Sequence, residues 1–169
     1  MINKKWCINV LLCGKCDKNI ENINNIFNKL YVNEENKAHF DIVTILSGIG
    51  CDEKKFGLYY FIEQITKSGN KVAYLGSTIH YSDIDEQDET FEGDETYASS
   101  VEGAVFKTHK ISIGSCEFPE VGEYELKVFK FDNDEAEIIA SDHEEKANKF
   151  YNDEHLITVY PFKVQKINK

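Results

Sequence analysis

Two thiols lie three residues apart in the segment Cys13-Gly14-Lys15-Cys16. At this spacing they can share one zinc ion, or form a redox-active disulfide at the N-terminus of a helix. A structural zinc ion takes four ligands, and since no second Cys-x-x-Cys follows, Cys7, Cys51, Cys116 or a histidine would have to converge on it. The redox reaction needs a following helix in a βαβ unit, which the sequence does not indicate. We therefore expect buried structural thiols and no cofactor, with a metal- or thiol-dependent protein centred on Cys13 and Cys16 as the alternative.

A run of carboxylates is the second feature with chemical potential. Eight of the thirteen residues over 83–95 are acidic: Asp83, Asp85, Glu86, Asp88, Glu89, Glu92, Asp94 and Glu95. Carboxylates can bind calcium, but this run lacks the glycine and the ligand spacing of an EF-hand loop. A segment with this charge density cannot bury itself and offers no means of holding two acids across a cleft. We expect a solvated loop over 83–95, with a basic protein as its binding partner.

The histidines and hydroxyl residues show no catalytic pattern. The five histidines, at positions 39, 80, 109, 143 and 155, lack both His-x-His and His-x-x-x-His spacing. His109 is in phase with Val105 and Ile111, which predicts a core or edge histidine and not a metal ligand. The sequence contains no nucleophile elbow and no glycine-rich phosphate loop. We therefore predict that the protein is not an enzyme.

Composition indicates a single acidic domain. The 169 residues suit one domain over 1–169, and the 41% hydrophobic content is sufficient for a core. The net charge of −11 repels phosphate groups, which argues against direct binding of nucleic acid or anionic membranes. The longest apolar runs fall short of the roughly 20 residues of a membrane span. An odd number of cysteines, five, favours a reducing cytoplasm over a disulfide framework.

Period-2 alternation and turn residues predict mainly strands. The predicted strands cover residues 5–13, 39–46, 58–66, 71–81, 106–113, 123–131, 136–140 and 156–167. The apolar stretch 6–13 is read as the first strand because Leu12 precedes Cys13 where signal cleavage needs a small residue. Glycines 48 and 50 are expected to end the run over 39–46. Pro161 predicts an edge or a bulge in the last strand.

Two segments carry helical signals. Over 20–32 the apolar residues recur at helical spacing, but four asparagines disfavour a helix. A strand near 24–32 is preferred, and a helix remains open. Ser141 and Glu144 have the spacing of a capping box, which predicts one short helix near 142–152 within an insertion over 141–153.

A tyrosine near the start of a late strand favours a sandwich. Tyr124, Leu126 and Val128 are predicted to face inward, while Phe129 and Phe131 predict a bulge or a covered outer face. Gly122-x-Tyr124 after a turn has the spacing of a tyrosine corner, whose hydroxyl ties a chain crossing between sheets. We predict an all-β, antiparallel β-sandwich of Greek-key, Ig/C2-like type.

The chain resembles an uncharacterised bacterial family of small β-sandwich proteins. The resemblance rests on Leu11–Cys16, on Phe118-Pro119-x-x-Gly122-x-Tyr124-x-Leu126-x-Val128, and on Pro161-Phe162-x-Val164. It implies the sandwich fold for most of the chain and brings no functional residue. The sequence departs from the family at Cys13 and Cys16, in the acidic loop and in the 141–153 segment.

The function expected from these observations is a non-enzymatic binding or interaction module that engages a protein partner. The cysteine pair provides one alternative. The acidic loop provides another, an acidic inhibitor that occupies a nucleic-acid-binding protein.

Overall fold

The computed structural model describes residues 7–16, 23–49, 55–69, 71–81, 94–101, 104–132 and 154–167. These residues form ten strands and no helix, which confirms the all-β class. The strands are β1 Cys7–Cys16, β2 Ile23–Ile26, β3 Lys29–Val32, β4 Lys37–Ile49, β5 Lys55–Gln64, β6 Lys71–Tyr81, β7 Asp94–Val101, β8 Ala104–Glu117, β9 Gly122–Asp132 and β10 Leu156–Lys166. The helix predicted near 142–152 and the strand predicted over 136–140 lie outside the described residues.

Two five-stranded sheets are present in the described part of the chain. The first sheet has the order β2-β1-β4-β8-β7, and the second has the order β3-β10-β9-β5-β6. The described pairs are antiparallel except for β3 and β10, which run parallel. The second sheet is therefore mixed, which corrects the prediction of a purely antiparallel fold.

The segment over 23–32 is strand and passes from one sheet to the other. β2 pairs with β1 in the first sheet, whereas β3 pairs with β10 in the second. Between them, the Phe27 amide donates to the Leu12 carbonyl at 3.0 Å, and the Asn28 carbonyl accepts from the Lys163 amide at 2.8 Å. Asn25 has a φ of 57°, a left-handed conformation that asparagine tolerates better than most residues. The strand preference is confirmed for this segment, and the helical alternative is wrong over 23–32.

One apolar core joins the inner faces of both sheets. In the first sheet Leu12, Phe40 and Ile42 are fully or almost fully buried. In the second sheet Leu58 and Leu126 pack in the same cluster. Burial of each such side chain contributes about 1.5–3 kcal/mol, so alternation along the strands determines which faces meet.

Strand ends differ from the predictions at the glycines. β4 continues through Gly48 to Ile49, with a register shift in its pairing with β8 between Leu46 and Ile49. The prediction that the glycines end this strand is therefore wrong, because the strand accommodates them with a β-bulge. β6 has the predicted bounds, and Gly69, with a φ of 120°, lies in the turn before it. Pro161 lies where β10 pairs with β9, outside the 163–166 stretch that also pairs with β3.

Both sheets also bury apolar side chains on their outer faces. On the second sheet, Tyr59, Phe61, Phe129 and Phe131 form a cluster with Leu156 packed against it. The β5–β9 register is continuous, and the register shift opposite Phe129 places its extra residue in β10, so the phenylalanines of β9 reflect a covered outer face. On the first sheet a smaller outer cluster contains Cys13, Cys16 and Val43.

Candidate functional site

The cysteine pair lies within a strand. Cys13 and Cys16 both belong to β1, and Cys13 pairs with Ile26 of β2 and with Asp41 of β4. The helix N-terminus that lowers the pKa of a redox cysteine is therefore absent at this motif among the described residues. Burial, followed by the nearby Asp41 and Cys16, raises the pKa of the Cys13 thiol to about 11. The thiol is protonated at neutral pH, where it behaves as a small apolar side chain.

The surroundings of this pair are structural contacts. Asp41 is buried, and its Oδ2 accepts the Cys16 amide proton at 2.6 Å, which links β4 to the end of β1. Cys116 lies in the inner core, where burial raises the pKa of its thiol to about 12. In the part of the chain that the structure describes, no group of three or more His, Cys, Asp or Glu side chains could hold a metal ion.

The last two residues of the acidic run belong to a strand and not to the predicted loop. Residues 83–92, with the first six carboxylates of the run, lie outside the described residues. Asp94 and Glu95, predicted as loop, are the first residues of β7, and their backbones pair with Ile111 and Lys110 of β8. The prediction of a loop is therefore wrong for Asp94 and Glu95, because the β-forming residues that follow extend the ladder back to the acidic pair.

A tyrosine corner joins the two sheets. Tyr124 is 1% exposed, and its hydroxyl donates to the Glu120 carbonyl at 2.6 Å. The Glu120 amide in turn lies 3.3 Å from the same hydroxyl oxygen, to which it donates. Residues 118–121 carry the chain from β8 in the first sheet to β9 in the second, so the two hydrogen bonds tie this crossing. Gly122 has a φ of 153°, and a Cβ there would come within 3.0 Å of Gln64 Nε2.

An open groove lies beside this corner at the end of the second sheet. Its volume is about 370 Å³, and it is lined by Tyr31, Val121, Gly122, Lys163, Val164, Gln165 and Lys166. Residues of β10 form the floor, with Tyr31 of β3 on one side and Val121 of the crossing on the other. Tyr31 is 55% exposed and Val121 is 46% exposed. A volume in this range can accept a few side chains of a peptide or a small molecule.

Two lysines give the groove its charge. The Lys163 ammonium is 3.2 Å from Glu123 Oε1. The Lys166 ammonium donates to the carbonyls of Asn33 and Glu34 at 3.2 and 2.7 Å, which holds it over the turn between β3 and β4. The groove thus combines an aromatic ring, an aliphatic side chain and two cations.

Sequence reasoning did not find this groove. Its residues come from three separate segments, and the parallel pairing of β3 with β10 brings Tyr31 beside Gln165. The available signal was the alternation in Lys29–Val32, which leaves a tyrosine on the exposed face.

The sequence matches no protein-family model and no curated protein. The described part of the chain contains no helix with the length and apolar character needed to cross a membrane. The groove is accordingly interpreted from its own geometry.

Proposed function

We propose that the protein is a non-enzymatic module that binds a protein partner through the groove between Tyr31 and Val121. The observation that carries this proposal is the exposure of these two side chains across an open groove. Tyrosine is enriched at interfaces because its ring buries a large apolar area while its hydroxyl stays hydrogen-bonded. Among the described residues that line the groove there is no histidine, cysteine or carboxylate, so the lining offers few groups for acid–base or nucleophilic catalysis.

The finer fold assignment is part of the same proposal. We infer a Greek-key sandwich of Ig/C2-like type, as in the bacterial family that the chain resembles. The crossings between sheets at 27–28, 33–36 and 118–121 support it. In such folds the connections at the ends of the sandwich often carry the binding residues, and two of these crossings lie beside the groove.

Site-specific photo-cross-linking tests the proposed function. A benzoylphenylalanine at position 31 is compared with the same residue at His39, which is exposed on β4 of the first sheet. In cells of the source organism, position 31 is expected to capture a discrete protein that position 39 does not. Equal capture at both positions, or none at position 31, would contradict the proposal.

The variant Val121→Glu gives an independent check. Val121 is exposed and lies in the crossing, so a carboxylate there leaves the core intact while replacing an apolar wall of the groove with a charged group. Loss of the position-31 cross-link with an unchanged melting temperature supports the groove as the contact surface. Retention of the cross-link at full yield places the contact elsewhere.

A further inference from the structure

The charge of the groove differs from that of the whole chain. The chain has a net charge of −11, but the charged side chains that line the groove in the described structure are Lys163 and Lys166. Charges more than about 8 Å away are largely screened at physiological salt, so a ligand in the groove responds to these two ammonium groups and to the Glu123 carboxylate paired with Lys163.

The Lys166 ammonium is held in place by two hydrogen bonds and has a third donor for a ligand. Its ammonium has three donors, and two of them reach the carbonyls of Asn33 and Glu34. In the described ranges no carboxylate lies within ion-pair distance of this ammonium. Backbone carbonyls orient the group without neutralising it, so among the described residues it has no counter-charge that a ligand carboxylate would have to displace.

Lys163 can exchange its ion-pair partner, Glu123, for a carboxylate of the ligand. Its ion pair with Glu123 joins a lysine side chain that is 44% exposed to a glutamate side chain that is 68% exposed. Exposed pairs contribute little net stability, because both ions are well solvated when apart. A ligand carboxylate can therefore replace Glu123 with little loss of stability.

The apolar walls set a second requirement. Tyr31 and Val121 flank the lysines and offer exposed apolar surface on either side of the floor. The adjacent edge of β3 is less suited to binding, because that strand has four residues and carries the exposed Lys29, features that discourage strand addition. The ligand is thus expected on the face of the sheet and not at its edge.

On the basis of the proposed function, we infer that the partner inserts an acidic peptide segment, with one carboxylate side chain at Lys163, another at Lys166, and an apolar neighbour against Tyr31 and Val121. The ion pairs select the sign of the ligand charge, and the apolar contacts supply the buried area. This ligand is opposite in charge to the basic partner expected from the acidic run over 83–95.

Peptide binding by fluorescence polarisation tests this inference. Three fluorescein-labelled pools of short random peptides, alike except for Glu, Gln or Lys at alternate positions, are titrated with the protein at physiological salt. The Glu pool is expected to bind about fivefold to tenfold more tightly than the Gln pool, as for one or two charge-assisted contacts. The Lys pool is expected to bind most weakly.

Charge reversal in the groove provides the matched comparison. Lys166→Glu and Lys163→Glu should each remove or invert the preference for the Glu pool. Lys15→Glu, at an exposed position of β1 on the first sheet, makes the same change in net charge and should leave the preference intact. Melting temperatures identify any variant that loses binding through unfolding. If one of the two groove variants does not fold, the other still provides the test.

Three results would overturn the inference: tightest binding of the Lys pool, no binding of any pool, or an unchanged preference in both groove variants. Preference for the Lys pool would instead support the acidic run as the contact surface. Each of these results is independent of the cross-link from position 31. Failure of the acidic-ligand inference is therefore distinguishable from failure of the proposed function.

Discussion

The side-chain oxygens of Thr44 and Tyr60 are 2.8 Å apart in the core, and the two residues belong to different sheets. Both are fully buried, and either hydroxyl can donate. Among the described contacts this hydrogen bond joins the middle of β4 to the middle of β5. It therefore fixes the position of one sheet relative to the other, because a hydrogen bond requires a defined geometry and apolar contacts do not.

Removing either hydroxyl should destabilise the fold. Tyr60→Phe and Thr44→Val each remove this hydrogen bond from the core, with an expected loss of about 1–3 kcal/mol in the free energy of unfolding. The double variant should cost less than the sum of the two, because the contact is lost only once. Urea denaturation measures all three variants, and strictly additive losses would show that the hydroxyls are not coupled.

The tyrosine corner predicts a similar loss at a different place. Tyr124→Phe removes the hydroxyl that bonds both backbone groups of Glu120, and it should lower the free energy of unfolding by about 1–3 kcal/mol. Tyr31→Phe is the matched control, since the Tyr31 side chain is mostly exposed. If the two variants and the unmodified protein have equal denaturation midpoints, the hydrogen bonds of the tyrosine corner do not contribute to stability.

His109 predicts a loss of stability on mild acidification. Burial lowers its pKa to about 4, from an ordinary value of 6.5, and its register partners Thr44 and Thr96 carry no charge. The unfolded chain takes up a proton below pH 6.5 that the folded protein refuses until about pH 4. Stability should therefore be greatest above pH 6.5 and fall towards pH 4, with a slope approaching about 1.4 kcal/mol per pH unit.

Denaturation of His109→Gln at several pH values checks this origin. That variant should lose most of the slope between pH 6.5 and 5, whereas His39→Gln, at an exposed position, should keep it. If His109→Gln does not fold, NMR titration of the wild-type ring gives the answer. A ring that titrates near pH 6.5 would refute the prediction.

The cysteines predict slow reaction with thiol reagents. Cys13, Cys16 and Cys116 are buried, and the raised pKa of Cys13 and of Cys116 leaves little thiolate at neutral pH. In a Cys7→Ser/Cys51→Ser variant, disulfide reagents such as Ellman's should react with these three thiols only after denaturation. Fast labelling of Cys13 and Cys16 in the native protein would revive the thiol-dependent alternative.

The acidic run predicts an effect on association rate. Amides in place of the first six carboxylates, at 83, 85, 86, 88, 89 and 92, should slow association with a basic partner several-fold, because the steering field is weakened. The same change at Asp94 and Glu95, which lie in β7, removes two charges instead of six and gives the effect per charge at the strand end of the run. Stopped-flow kinetics against a basic protein measures both, and an unchanged rate in the first variant leaves the run as a solubilising segment.

Local patterns predicted much of the fold. The β6 bounds follow from apolar alternation and a glycine turn, and Tyr124 faces the core as its spacing indicates. β7 was missed because Asp94 and Glu95 continue an acidic run, although backbone pairing with β8 is indifferent to their charge. The sheet crossing between β2 and β3 was also missed, since both strands have the same local pattern and differ only in their distant partners.

The candidate site was less accessible to prediction. Cys13 and Cys16 attract attention by spacing alone, yet the register of β1 places them in a buried strand. Tyr31, Val121 and Lys166 have no distinctive spacing, and they meet only because β3 pairs with a strand far along the chain. A surface that depends on pairing between strands far apart in the chain is difficult to predict from a single sequence.

The parallel pairing of β3 with β10 has a consequence for folding during synthesis. Tyr160 of β10 donates its hydroxyl proton to the Phe27 carbonyl across 133 residues of chain. β3 therefore leaves the ribosome long before its partner exists, with the apolar side chains of Leu30 and Val32 still in water. Pairing over such separations is slow, and nascent chains in this state are exposed to aggregation and to chaperones. The groove beside Tyr31 contains residues of both strands, so a chain in which β3 and β10 have not yet paired cannot bind there.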